Sequence, residues 1–275
     1  MPEAPTRPSP ADATKDELRL TRAVQVPGVG GLAGVVAVIA IVAWSVAGSD
    51  FSIERFVTGM PRMGEFLVRL WPPDFGRFGL IVELLIETLQ MAVVGTLIGA
   101  VLSLFLSFAA ASNISPPWLY ASSRFVLNVL RSIPELIFAL MFVSAVGLGP
   151  FAGILALVLG SIGTIGKIYA EAMESVPSGP LDALTSAGAS KRQVITYGVV
   201  PQASPLLVSY TLLLFEGNVR GATILGLVGA GGIGMELTTA MRLYDYGHLL
   251  AIILSIIVLV TVIDRLSAII RKKIT

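Results

Sequence analysis

The sequence predicts an all-α integral membrane protein with about six transmembrane helices. Composition is the first reason: of 275 residues, 55% are hydrophobic and 13% charged. A soluble domain carries about 25% charged residues. The second reason is a series of long uncharged stretches, each able to hold the ~20 apolar residues that cross a bilayer. The third is a basic segment close to each end, Arg19 with Arg22 and Arg271-Lys272-Lys273. An ordinary soluble enzyme and a disordered chain are excluded by the same numbers. The net charge of +1 offers no basic excess for nucleic acid. There is no cysteine, hence no disulfide or thiolate site, and the single histidine, His248, cannot form a multi-histidine metal centre.

The spans follow in chain order. Val24 to Ser49 is uncharged and holds a first span near 31–48. Thr88 to Ser123 is uncharged and gives a second near 84–110, ending in the turn composition Asn113-Ile-Ser-Pro-Pro117. Leu136 to Gly166 is too long for one helix and is punctuated by Gly147-Leu-Gly-Pro150. It reads as two spans, 125–147 and 151–171, and Pro134 should kink or delay the first of them. The last two spans lie near 204–228 and 246–266. Between the first and second, Phe56, Met60, Met63 and Leu67 have helical spacing, so residues 50–78 should hold a helix lying on the outer surface.

Six spans place both termini on one side. Short basic flanks stay cytoplasmic, so both ends are expected inside; the arginines of the 50–78 loop are the one disagreement. The chain then divides into a disordered cytoplasmic tail (1–23), a first span with its extracytoplasmic loop (24–78) and a helical core (79–275) whose cytoplasmic loop is 172–201. The proline-, alanine- and charge-rich tail lacks the layout of a cleavable signal.

Loop 172–201 has strong local chemistry. Pro180 suits a first helical turn and Asp182 complements the dipole there. A helix over 180–187 puts Leu181, Leu184 and Ala187 on one face. Gly188 can end it in a left-handed conformation. Ser190 followed by Gln193 has capping-box spacing, which starts a second helix leading to the membrane. Such a helix–glycine–helix element is either a connection or a docking knob.

The segment resembles the cytoplasmic coupling motif of ABC-importer permeases. That pattern is a carboxylate-Ala-Ala, three residues, Gly, and a proline thirteen positions after the glycine. Asp182-Ala183-Leu184, Gly188-Ala189-Ser190 and Pro201 meet the spacing. The departures are Asp182 for Glu, Leu184 for Ala and Gly198 for an aliphatic residue. Arg131-Ser132-Ile-Pro134-Glu135, Gly166-Lys-Ile-Tyr-Ala-Glu-Ala172, Tyr197-Gly-Val-Val-Pro-Gln202, Asn218-Val-Arg-Gly-Ala-Thr-Ile-Leu-Gly226 and Gly229-Ala-Gly-Gly-Ile-Gly-Met-Glu-Leu237 are similar to phosphonate-import permeases over roughly residues 80–272. The Arg-Ser-x-Pro and glycine-rich parts are shared with methionine-type permeases. The resemblance implies a type I importer fold in a bacterial inner membrane, with no cofactor in this chain. It also implies a second copy of the chain, an ATPase dimer that binds ATP and magnesium, and an extracytoplasmic substrate-binding protein. The substrate would be a phosphonate or a related phosphorus oxyanion, phosphite or phosphate, moved by alternating access. Leu181, Asp182, Ala183, Leu184, Gly188, Ala189, Ser190 and Pro201 would couple to the ATPase.

Other residues carry open readings. Ser161-Ile-Gly-Thr-Ile-Gly-Lys-Ile168 lacks the first glycine and the Ser/Thr of a phosphate-binding loop, so this chain should not hydrolyse ATP. Gly229-Ala-Gly231-Gly232-Ile-Gly234 matches a dinucleotide fingerprint in letters but follows a membrane span, not a strand. It is either a tight bend or a backbone nest facing an oxyanion. Glu216 and Arg220, four apart, are either a structural pair or a pathway cation with its restraint. Arg131, Ser132, Pro134 and Glu135 are pathway or gate candidates, Arg131 alternatively an interfacial anchor. Glu83 with Glu87, and Lys167 with Glu171, are four-spaced pairs at the membrane boundaries; His248 reads as interfacial, and Asp264 as paired locally or across helices. The rival functions are a proton-coupled anion transporter using Glu216, Glu171 or Asp264, a permease of methionine-like specificity, and an intramembrane hydrolase, which lacks a nucleophile–base spacing.

Overall fold

The structure, a computed structural model, describes residues 29–274, and no strand occurs among them. The expected tail 1–23 lies outside the described residues. The helices are α1 (Val29–Gly48), α2 (Ile53–Leu70), α3 (Phe78–Ala110), α4 (Pro117–Ser132), α5 (Glu135–Val146), α6 (Pro150–Glu174) and α7 (Ser178–Ser186). They continue with α8 (Lys191–Gln193), a π-helical stretch Val194–Val199, α9 (Val200–Leu225), α10 (Ile233–Arg242) and α11 (Tyr246–Ile274). The chain divides into two compact units, Met1–Gly64 and Glu65–Thr275.

Among the described residues, five helical segments are long and apolar enough to cross a membrane: Gly30–Gly48, Phe78–Ala110, Pro150–Glu174, Lys191–Val228 and Tyr246–Ile274. The expected straight span at 125–147 is instead the pair α4–α5, bent by 84°. As one broken span it makes the sixth. The cause is local. Pro134 has no N–H and disfavours helix at the residue before it, and Ile133 is accordingly extended, with φ −95° and ψ 119°. The pair also starts earlier than expected, because Pro117 opens α4 at its first turn, where a proline costs nothing.

In the larger unit α6 is the spine and the most buried span. Small residues let its neighbours approach closely, as in membrane helix packing generally. Gly95 and Gly99 of α3 face Leu157 and Ser161; Glu135 of α5 faces Gly160; Arg131 and Leu127 of α4 face Gly163 and Gly166. On α9, Asn218 donates through Nδ2 to Thr96 Oγ1 (2.9 Å) and Ser161 Oγ (3.0 Å), tying three helices with a buried polar knot. A second cluster, Leu70, Ile81, Ile233, Leu249 and Ile252, closes the end of the bundle opposite residues 172–201.

The smaller unit holds α1 and most of α2. Among the described residues nothing buries α1, and its large apolar side chains from Leu32 to Val46 are exposed, as for a span that faces lipid.

Candidate coupling and translocation site

Residues 172–201 fold as their local chemistry dictates. α7 runs from Ser178, two residues before Pro180, to Ser186. Gly188 has φ +84°, which an L side chain rarely adopts. Its N–H donates to Thr185 O (3.0 Å), and Ala189 N–H donates to Leu184 O (3.0 Å). That is a Schellman termination. Ser190 and Gln193 form the expected capping box: Ser190 N–H donates to Gln193 Oε1 at 2.7 Å, and Gln193 N–H donates to Ser190 Oγ at 3.5 Å.

Gly198, one of the departures from the pattern, has a packing reason. A Cβ there would stand 2.6 Å from Leu181 Cδ2 and 3.1 Å from Leu184 Cδ1. The two leucines of α7 therefore rest on the bare backbone of the π-helical stretch. Their half-buried side chains leave Asp182, Ala183 and Thr185 exposed on the other side. Pro201 occupies the first turn of α9 and is exposed.

A charged joint that the sequence reading did not single out fastens this element to the bundle. Arg124 of α4 donates through Nε to Ala110 O (2.9 Å), reaches Glu174 Oε2 at 2.9 Å and Glu171 Oε1 at 3.4 Å, and covers the Tyr120 ring. Ser112 N–H donates to Glu174 Oε1 (2.6 Å), and Asn113 Nδ2 donates to Met173 O (2.9 Å). The last turn of α6 is thus tied to the α3–α4 turn just before α7 begins. Glu171 meets Arg124, not Lys167 four residues away. Its partner is 47 residues off in sequence, beyond the reach of any spacing rule.

The pathway candidates separate. Arg131 is exposed and has its backbone against Gly163, roughly 16 Å along α6 from Glu174 at 1.5 Å per residue. Ser132 Oγ donates back to Asn128 O. The Glu135 carboxylate lies in a notch between Gly160 and Gly221, where added Cβ atoms would meet its oxygens at 2.8 and 3.1 Å. Glu216 and Arg220 do not pair with each other. Arg220 reaches Asp264 (3.2 Å), and Glu216, buried, reaches Arg271 (2.9 Å). Both partners are on α11, so the charges clamp α9 to α11. Asp264 therefore pairs across helices.

The glycine-rich corner has three left-handed residues, Gly229, Gly231 and Gly232. Four of its N–H groups donate within the chain: Gly229 to Gly226 O (3.0 Å), Ala230 to Leu225 O (3.3 Å), Gly232 to Glu87 Oε1 (2.8 Å) and Ile233 to Thr88 Oγ1 (2.9 Å). Gly229 O accepts from Gly149 N–H (2.9 Å), which locks this corner to the α5–α6 turn. Gly234 is buried at the start of α10, and Glu87 is a partner of the corner while Glu83 is exposed. His248 is enclosed by the bundle: it is 1% exposed and meets Glu236 at 3.0 Å, beside Arg77 and Asp245.

Known proteins agree with this architecture. The family described as binding-protein-dependent transport system inner membrane component matches residues 99–275. The phosphite transport system permease protein PtxC of Stutzerimonas stutzeri is 42% identical over 217 residues, 78% of this chain and 79% of that one. The phosphate-import permease protein PhnE of Mycolicibacterium smegmatis is 42% identical over 220 residues, 79% of this chain and 41% of that longer one. Among solved structures, an inward-facing form of the MetNI methionine ABC transporter superposes with a TM-score of 0.65 at 24% identity, covering 74% of this chain and 99% of that one. A multi-span helical bundle built around α6, the capped 172–201 element and a match over residues 99–275 together place this chain in the family of binding-protein-dependent transport system inner-membrane components.

Proposed function

We propose that the chain is the membrane-spanning subunit of an ATP-driven importer for phosphorus oxyanions, phosphite or phosphonate foremost. The observation that carries the reading is the α7–Gly188–α8 element. It is a rigid knob, with a docking side at Asp182 and Ala183 and a root on Gly198. A knob of this kind suits a groove on a separate ATPase subunit. Two copies of the chain would present two knobs to an ATPase pair holding ATP and magnesium, and a closed twofold is the commonest symmetry for such an assembly. The 172–201 side is then cytoplasmic, with both termini on it, and a substrate-binding protein delivers cargo on the opposite face. The names of the relatives in Stutzerimonas and Mycolicibacterium support the substrate class.

In this reading Arg131 is the cation that a doubly charged oxyanion meets at depth. An arginine there is costly unless it faces protein or water. Glu135, in its glycine notch one turn later, limits where that arginine can point. ATP-driven closure pushes on α7; Arg124 and Glu174 pass the displacement to the α3–α4 turn and α6, and α9 moves with α11 through their ion pairs.

The test is purification of the tagged chain from native membranes with identification of what accompanies it. An ATPase subunit should co-purify and be lost on Gly188→Arg, while Gly188→Asn, which tolerates φ near +84°, should keep it. Uptake by the reconstituted assembly should follow phosphite or phosphonate and not methionine. Proton-driven uptake without an ATPase would overturn the proposal.

A further inference from the structure

The helix α2 has no assigned role, and its residues sort by face. Ile53, Phe56, Val57, Met60, Met63 and Leu67 form one apolar stripe, each at least 55% exposed. Arg55, Arg62 and Arg69, seven residues apart, form a row on the opposite side with Glu54, Thr58 and Glu65. Aromatic side chains stand exposed just outside both ends, Phe51 at 67% and Trp71 at 72%.

We propose that α2 lies in the plane of the membrane, with its apolar stripe immersed in the headgroup–acyl boundary on the side opposite residues 172–201. Two attachments fix its depth. Leu70, its last residue, is buried against Ile81 and Leu249 in the first turns of α3 and α11. Phe66 packs edge-on against Tyr246, the first residue of α11, with ring centroids 5.6 Å apart. The C-terminal end of α2 therefore sits where two spans begin. Its N-terminal end follows the α1 span after only Ser49–Ser52, a link that extends at most ~14 Å. An 18-residue helix is about 27 Å long. Standing upright it would carry one end farther from the boundary than the link allows. With one end at the boundary and the other within the ~14 Å of the link, the helix lies within about 30° of the membrane plane. A flat helix with one apolar and one charged face is the form of an interfacial anchor, and aromatic residues collect at that level. The occupant of the stripe is lipid, and the arginine row faces water.

The absence of native cysteine makes the test direct. Single variants Met60→Cys, Met63→Cys and Leu67→Cys, with Thr58→Cys and Arg62→Cys for the other face, are spin-labelled in the full-length chain. The chain is reconstituted in phosphatidylethanolamine–phosphatidylglycerol vesicles. Labels on the stripe should collide several-fold more with oxygen than with a water-soluble nickel chelate, and labels on the arginine side should show the reverse. Val57→Cys and Phe56→Cys supply replacement positions if a first variant does not insert. Stripe labels shielded from both quenchers would mean that protein covers the face, a second copy or a delivered partner. Stripe labels open to nickel would mean that α2 stands in water. Either result overturns the proposal.

Discussion

At the scale of single residues, Gly198 shows how a departure from a family pattern can be structural. The pattern leads one to expect an aliphatic side chain, yet Leu181 and Leu184 already fill that space. Gly198→Val should therefore over-pack the root of α7, at a cost of about 1–3 kcal/mol typical of such insertions. Its effect should be felt at the knob. Co-purification of the ATPase and uptake should fall together, while Gly179→Ala, where an added Cβ meets nothing within 4 Å, should leave both unchanged. Uptake that survives Gly198→Val would show that the leucines do not hold α7 in place. Residue-scale reading served this segment well because each part, Pro180, Gly188, Ser190 and Gln193, acts on groups within four residues of itself. The caps and the left-handed stop follow from chain-local chemistry.

At the scale of elements, the question is how α4 and α6 can cross so closely. The two contacts differ in what an added methyl would strike. At Gly163 a Cβ would lie 2.6 Å from the backbone nitrogen of Arg131 and 2.7 Å from the carbonyl carbon of Leu130. At Gly166 it would lie 2.7 Å from Leu127 Cδ2, the end of a flexible side chain. Backbone cannot step aside without moving α4, whereas a leucine can change rotamer at a cost of about 1 kcal/mol. Gly163→Ala should thus lower the thermal midpoint of the detergent-purified chain far more than Gly166→Ala. Equal shifts would mean that α4 slides freely on α6. Elements were legible in the sequence in proportion to their regularity. The long apolar runs that became α1, α3, α6 and α11 stood out. The 84° break between α4 and α5 did not show as two elements, since proline announces a disturbance and only packing against α6 sets its angle.

At the scale of the whole molecule, the charges were the least legible feature, for a physical reason. Spacing rules find partners on one helix, but a buried carboxylate takes whichever cation the tertiary fold brings. Glu216 found Arg271, Arg220 found Asp264, and Arg124 found Glu171 and Glu174, all across at least 44 residues. The two α9–α11 pairs are not equivalent. Glu216 is 7% exposed in its side chain, whereas Asp264 is 41% exposed. Removing the cation from a buried carboxylate strands a charge, which costs about 3–5 kcal/mol; a half-exposed carboxylate can turn to water or headgroups and loses far less. Arg271→Ala should therefore destabilise the chain more than Arg220→Ala, and Glu216→Gln combined with Arg271→Ala should recover much of the loss because no uncompensated charge remains. Thermal midpoints of the three variants and the unaltered chain in one detergent read this out. If Arg220→Ala proves the more damaging, the outer of the two clamps holds α9, and the displacement that opens the pathway must run through Asp264.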